Sequence, residues 1–176
     1  MKKVELLVPV GNYENLIAAI ANGADAVYLG GKKFGARAFA NNFNDEELTE
    51  ASKLCHLYNV KIYVTVNTMI YNDEITDIID YIAFLYKINI DAVIVQDIGL
   101  ISLIRQNFPT LDVHVSTQAH NYNEDSFTYY EKLGCKRVVL ARELSLNEIN
   151  NIKTPLEKEV FVYGALCICY SGNCLM

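Results

Sequence analysis

Long apolar runs are missing from this sequence of 176 residues, and no stretch approaches the roughly 20 residues of a membrane span. The start, Met1-Lys2-Lys3-Val4-Glu5-Leu6-Leu7-Val8-Pro9, lacks the extended apolar core of a secretory signal. Proline occurs only three times and no low-complexity tract is present, which excludes a disordered chain. Positive charge is short as well. Fifteen Lys and Arg face 21 Asp and Glu, and the net charge of −6 argues against a nucleic-acid surface spread over the whole domain. A local basic pocket stays compatible with that balance. Several chemical motifs are absent: no Gly-x-Ser-x-Gly elbow, no His-Glu-x-x-His helix, no Gly-x-Gly-x-x-Gly loop and no Walker lysine.

What is present describes one globular domain, with 52% hydrophobic and 20% charged residues. Five cysteines, an odd number without a secretion signal, fit a reducing compartment better than a disulfide framework. The expected location is cytoplasmic.

Hydrophobic patterning predicts strands that alternate with helices. Strands are expected at Val4–Val10, Ala26–Leu29, Val60–Asn67, Ala92–Asp97, Asp112–Gln118, Arg137–Glu143 and in the apolar run from Val160 to Leu166. Helices are expected between them. Asn44 with Glu47 and Ser145 with Glu148 have the spacing of capping boxes. Helix–strand junctions repeat a theme: Gly23-Ala24-Asp25-Ala26-Val27, Ile90-Asp91-Ala92-Val93 and Gly134-Cys135-Lys136-Arg137-Val138. Two strands carry a polar parity, Tyr63, Thr65 and Asn67 on one, His114, Ser116 and Gln118 on the other. Gly30-Gly31 marks either a turn with positive φ or a close approach to a ligand. Cys55 reads as core.

The chemistry concentrates at the end. Glu159, Phe161, Gly164-Ala165-Leu166-Cys167, Gly172 and Cys174 set three thiols, Cys167, Cys169 and Cys174, within eight positions. That density suits metal or cluster ligation, redox chemistry or nucleophilic attack. The order and spacing resemble the signature of the collagenase-like peptidases, the family of unknown catalytic type numbered thirty-two. Asn22 to Gly30, Val95-Gln96-Asp97, His114-x-Ser116-Thr117-Gln118 and Ala141-Arg142-Glu143 are similar to other segments of that family.

The resemblance implies an α/β fold, an incomplete (β/α)8 barrel of seven parallel strands without its closing strand. A doubly wound sheet is the competing architecture, and the polar parity of two strands favours the barrel. The expected arrangement is a single domain over residues 1–176, the amino-terminal part of a longer protein, with open sheet edges that invite self-association. In a barrel the site lies at the carboxyl ends of the strands. The candidate catalytic residues are Asp97, Ser116, Gln118, Arg142 and Glu143, and the candidate substrate contacts are Arg37, Asn67, Gly30 and Gly31.

Three functions follow from the resemblance. The family label implies proteolysis, with a peptide or protein as substrate. Similar proteins that hydroxylate RNA bases or the ubiquinone ring imply a 4Fe-4S cluster and structured RNA as partner. Cys167 and Cys174 would then be two of four ligands, Cys169 being a weaker candidate, and this chain alone would hold no stable cluster and show no activity. A non-catalytic binding module is the third. A conventional peptidase would draw on Ser116 with His114 and Asp97, or on Cys167 or Cys169 with His114 or His120.

Overall fold

A computed structural model describes residues 4–36, 42–164 and 168–173. Seven strands occupy one sheet in chain order: β1 (Leu7–Pro9), β2 (Ala26–Gly30), β3 (Lys61–Val66), β4 (Ala92–Val95), β5 (Asp112–Val115), β6 (Arg137–Val139) and β7 (Glu157–Glu159). Between them lie α1 (Tyr13–Ala21), α2 (Asp45–Leu57), α3 (Ile75–Lys87, led in by a 3-10 turn at Asn72–Glu74), α4 (Ile98–Asn107), α5 (Glu124–Lys132) and α6 (Leu146–Asn151). A doubly wound sheet reverses its strand order at a switch point; here the order never reverses, which is the rule of a barrel. The fold is an incomplete (β/α)8 barrel with seven parallel strands.

The chain divides into two compact units, residues 1–93 and 94–176. In the first, β1 pairs with β2 from Leu7↔Ala26 to Pro9↔Tyr28, and β2 pairs with β3 from Ala26↔Lys61 to Gly30↔Thr65, both parallel. The core forms between these strands and the apolar faces of the helices: Leu16 and Ala19 of α1, Leu48, Ala51 and Cys55 of α2, and Ile78, Tyr81, Ile82 and Leu85 of α3. In the second, β5 pairs with β6 from His114↔Arg137 and β6 with β7 from Arg137↔Glu157. Leu100, Ile101 and Ile104 of α4 and Phe127 and Tyr130 of α5 are buried there.

The repeated junction has a physical cause. Four helix–strand turns place one residue in the left-handed region before the strand: Gly23 (φ 83), Asn59 (φ 61), Asn89 (φ 60) and Gly134 (φ 79). The aspartate that follows clips the preceding strand. Asp25 Oδ2 accepts the Leu6 N–H at 2.9 Å while Asp25 N–H donates to Leu6 O at 3.0 Å. Asp91 repeats this pair on Ile62, at 2.9 and 3.1 Å. In the other two turns Lys61 and Lys136 keep only the backbone half, donating to Asp25 O at 3.1 Å and Val113 O at 2.9 Å.

Both capping boxes form. Asn44 Oδ1 accepts the Glu47 N–H at 2.8 Å and Glu47 Oε2 accepts the Asn44 N–H at 2.7 Å; Ser145 and Glu148 do the same at the start of α6.

Three sequence expectations are corrected. The last strand is not the apolar run: β7 is the charged segment Glu157–Glu159, and Val160, Phe161, Val162 and Tyr163 are 40, 46, 90 and 96% exposed. The cause is Arg137 of β6, buried to 7% exposure, which binds Glu157 at 2.6 Å and Glu159 at 3.4 Å and so selects the charged register. Lys158 completes the choice by donating to the carbonyls of Ile149 and Ile152 at the end of α6. The fifth strand ends at Val115, because Ser116 caps a 3-10 turn over Thr117–Ala119; Ser116 and Gln118 therefore lie beyond the strand. The sixth ends at Val139, short of Arg142 and Glu143.

The polar parity of β3 has a local use too. The Tyr63 hydroxyl donates to Glu5 at 3.0 Å and Thr65 Oγ1 to Leu29 O at 3.3 Å, so both tie neighbouring segments together.

A candidate site where two strand ends hold the cysteine loop

The loop of residues 168–173 belongs to the signature stretch, and the segment after β6 grips it. Arg142 donates its backbone N–H to Ser171 Oγ at 3.2 Å, its Nε to the same oxygen at 3.3 Å, and its Nη2 to the Cys169 carbonyl at 2.9 Å. Glu143 answers with its carboxylate. Oε1 accepts the Ser171 N–H at 2.9 Å and lies 3.4 Å from its hydroxyl, and Oε2 accepts the Tyr122 hydroxyl at 2.8 Å. Burial would raise the Glu143 pKa, but the Ser171 N–H and the Tyr122 hydroxyl outweigh it and hold the carboxyl below its ordinary value. Tyr122 moves the other way, raised by burial and by its bond to Glu143.

The turn after β5 closes the far side. Gly172 lies so near it that a Cβ would stand 2.6 Å from His120 Cε1 and 2.7 Å from the Gln118 carbonyl oxygen. His120 itself takes the left-handed conformation (φ 58). Buried Asn121 fixes this turn: its Nδ2 donates to the carbonyls of Ser116 and Val139, both at 2.7 Å, and its Oδ1 has no partner among the described residues. Thr117 Oγ1 adds a bond to Leu140 O at 3.0 Å. The ends of β5 and β6 and the cysteine loop thus form one hydrogen-bonded assembly.

Of the residues expected from the sequence, Gln118, Arg142 and Glu143 meet at this loop. Ser116 is 3% exposed and its Oγ accepts the Gln118 N–H at 3.3 Å, so it shapes the turn. His114 is 2% exposed on β5. Asp97 caps α4, accepting the Leu100 N–H at 2.8 Å. Cys169 is half-buried and not in a disulfide; Cys167 and Cys174 lie outside the described residues, as does Arg37. Among the described residues no group of three or more His, Cys, Asp or Glu side chains could hold a metal ion. Cys55 and Cys135 are core, each thiol pushed up to about 12, chiefly by burial.

Ser171, Tyr122 and Asn121 were missed. Ser171 had a signal, its place within the signature beside Gly172; a tyrosine and an asparagine in a loop carry none.

In the first unit, Asn67 Oδ1 accepts the Ala36 N–H at 3.1 Å and Thr68 Oγ1 donates to Phe34 O at 3.3 Å, both holding the loop that follows β2. Gly30 and Gly31 open that loop without positive φ; the close approach is the reason for glycine. A Cβ on Gly31 would overlap the hydroxyl of Tyr81, and one on Gly30 would stand 3.0 Å from Asn42 Oδ1. The near neighbour is the protein's own tyrosine. Beside it opens a cleft of about 790 Å³ whose walls include Lys33, Asp45, Glu74, Asp77, Asp80 and Tyr81. Burial, then the Asp45 charge, raises the Tyr81 pKa.

No helix among the described residues is long and apolar enough to cross a membrane.

Comparison with known proteins places this geometry in context. The chain is 41% identical to tRNA hydroxylation protein P1 of Bacillus subtilis (strain 168) over 177 residues, covering 99% of this chain and 42% of that protein. It is 39% identical to a 23S rRNA 5-hydroxycytidine synthase of Escherichia coli (strain K12) over 174 residues, 98% of this chain and 26% of that one. It is 42% identical to a Methanocaldococcus jannaschii protein named as an uncharacterized protease, over 100% of this chain and 44% of that one. The chain therefore spans less than half the length of each of these relatives. In structure it is similar to a solved U32 peptidase, with a TM-score of 0.76 at 14% identity, over 90% of this chain and 68% of the other. The family profile described as Peptidase family U32 matches residues 11–176, and the chain belongs to that family.

Proposed function

We propose that this chain is the barrel portion of a protein that takes part in hydroxylating RNA bases, with transfer RNA as the leading substrate and ribosomal RNA as the second. The carrying observation is the likeness over 99% of the chain to a tRNA hydroxylation protein. The site geometry agrees with this reading better than with peptide cleavage. Ser116, the serine a hydrolytic triad would use, is buried and spent on its own turn. Arg142 and Glu143 hold a cysteine-bearing loop in place.

The reading carries an iron–sulfur cluster with it as a proposal. Thiolates are its natural ligands and would come from Cys167 and Cys174. When bound, such a cluster supplies single-electron chemistry. Among the described residues of the loop, Cys169 is the one thiol.

The test is nucleoside mass spectrometry of transfer and ribosomal RNA from a strain lacking the gene. Loss of one hydroxylated nucleoside, restored by the wild-type gene, is the expected result. An unchanged nucleoside profile, together with cleavage of gelatin by the purified protein, would replace this reading with the peptidase one.

A further inference from the structure

We infer that Arg142, Glu143 and Ser171 form a latch whose work is to position the cysteine loop, and that Arg142 and Glu143 are positioning residues rather than catalytic ones. The inference holds whichever chemistry the family member performs, because it rests on where the hydrogen bonds go.

Two features carry it. The first is direction. Arg142 bonds the Ser171 hydroxyl through its backbone N–H and Nε and the Cys169 carbonyl through Nη2; both carboxylate oxygens of Glu143 are engaged, one by Ser171 and one by Tyr122. An arginine that recognises an anion presents its planar fork outward; this one turns its Nε and Nη2 toward the loop. A general base needs an oxygen aimed at substrate; the oxygens here are directed at the protein's own Ser171 and Tyr122. The second feature is closure from the opposite side. Gly172 packs against His120 and the Gln118 carbonyl with no room for a Cβ, so the loop is held between the β5 turn and the β6 segment. Ser171, at 1% exposure, is the buried pin between them.

A latch of this kind fixes where the Cys169 backbone sits. Arg142 grips a backbone carbonyl, so any residue at position 169 would be held alike, and removing the grip should free the loop without unfolding the domain. Bonds from a charged group of this sort are strong enough that losing them opens a segment by about tenfold or more.

The experiment is iodoacetamide labelling of the purified protein, read at each cysteine by peptide mass spectrometry, for wild type, Arg142→Ala, Arg142→Lys and Ser171→Ala. Cys169 should label about tenfold faster in Arg142→Ala and Ser171→Ala, with Arg142→Lys between them and the wild type. Cys55 and Cys135, buried in the core, report global unfolding and should stay unlabelled. Should Arg142→Ala fail to fold, Ser171→Ala carries the same test, since it removes the pin and leaves the arginine. An unchanged Cys169 rate in both variants overturns the latch. So does a rate that rises only in step with Cys135, which would mean a general loss of stability.

Discussion

Gly172 shows how much a single position can decide. Its φ of 84 suits glycine, and the Gln118 oxygen 2.7 Å from an added Cβ belongs to backbone, which cannot swing aside. Gly172→Ala should therefore force the loop away from the β5 turn and cost about 1–3 kcal/mol. Differential scanning calorimetry reads the loss, and faster labelling of Cys169 shows where it is felt. The signature marked this glycine in the sequence, but only the structure gives the reason. Gly31 differs: the sequence left open a close approach to a ligand, and the side chain that approaches is Tyr81, more than forty positions away in the sequence. No local pattern encodes such a contact. Asn121 is the same case, a buried hub that reads as an ordinary loop residue.

At the scale of elements, local chemistry was readable and tertiary choice was not. Caps and junctions depend on residues three or four apart, so Asn44–Glu47 and Ser145–Glu148 could be seen directly. Asn44→Ala should lower stability by about 1 kcal/mol, as a shift in the urea midpoint with unchanged slope. The Ser145 box responds to pH. Its hydroxyl, then its backbone N–H, lowers the Glu148 pKa from 4.5. A depressed carboxylate contributes its stabilisation above the unfolded pKa and loses it as pH falls through the folded value. Protection of the amides at the start of α6, taken relative to their intrinsic exchange rates at each pH, should thus fall as the pH drops below the ordinary glutamate range, while that of α2 interior amides holds. Strand β7 went the other way. Apolar runs signal buried strands, yet Glu157-Lys158-Glu159 is the strand because Arg137, twenty residues earlier, provides the countercharge. Arg137→Leu takes the guanidinium away from two partly buried glutamates, Glu157 and Glu159. Allowing for their 35 and 15% side-chain exposure, the cost is about 2–3 kcal/mol, measured by chemical denaturation. Adding Glu157→Leu should recover part of it.

On the scale of the whole molecule, alternation of strand and helix made the fold class legible, and an unreversed strand order completes it. Charge frames the remaining question. The proposed substrate is a polyanion, whereas the chain carries −6 and the cleft beside Tyr81 is lined by four carboxylates, Asp45, Glu74, Asp77 and Asp80, against one lysine, Lys33. Phosphates are disfavoured there, so under the proposed function this barrel would meet RNA through few contacts made elsewhere. Counterion release turns that into a number. Each neutralised phosphate adds roughly 0.7 to 0.9 to the slope of log affinity against log salt, and a surface making many such contacts loses about a thousandfold or more between 50 and 200 mM. For a barrel that contacts about two phosphates, the loss over that interval should be only about tenfold. Fluorescence anisotropy of the purified protein with unmodified transfer RNA, titrated across that salt range, measures the slope directly. A steep dependence would mean that a basic face outweighs the acidic surface, and Asp77→Asn with Asp80→Asn separates the two cases. Where RNA passes near the cleft, neutralising those carboxylates tightens binding; where it lies on a distant face, the affinity at fixed salt hardly moves. The second result is expected, because four carboxylates against one lysine disfavour a phosphate backbone in that cleft.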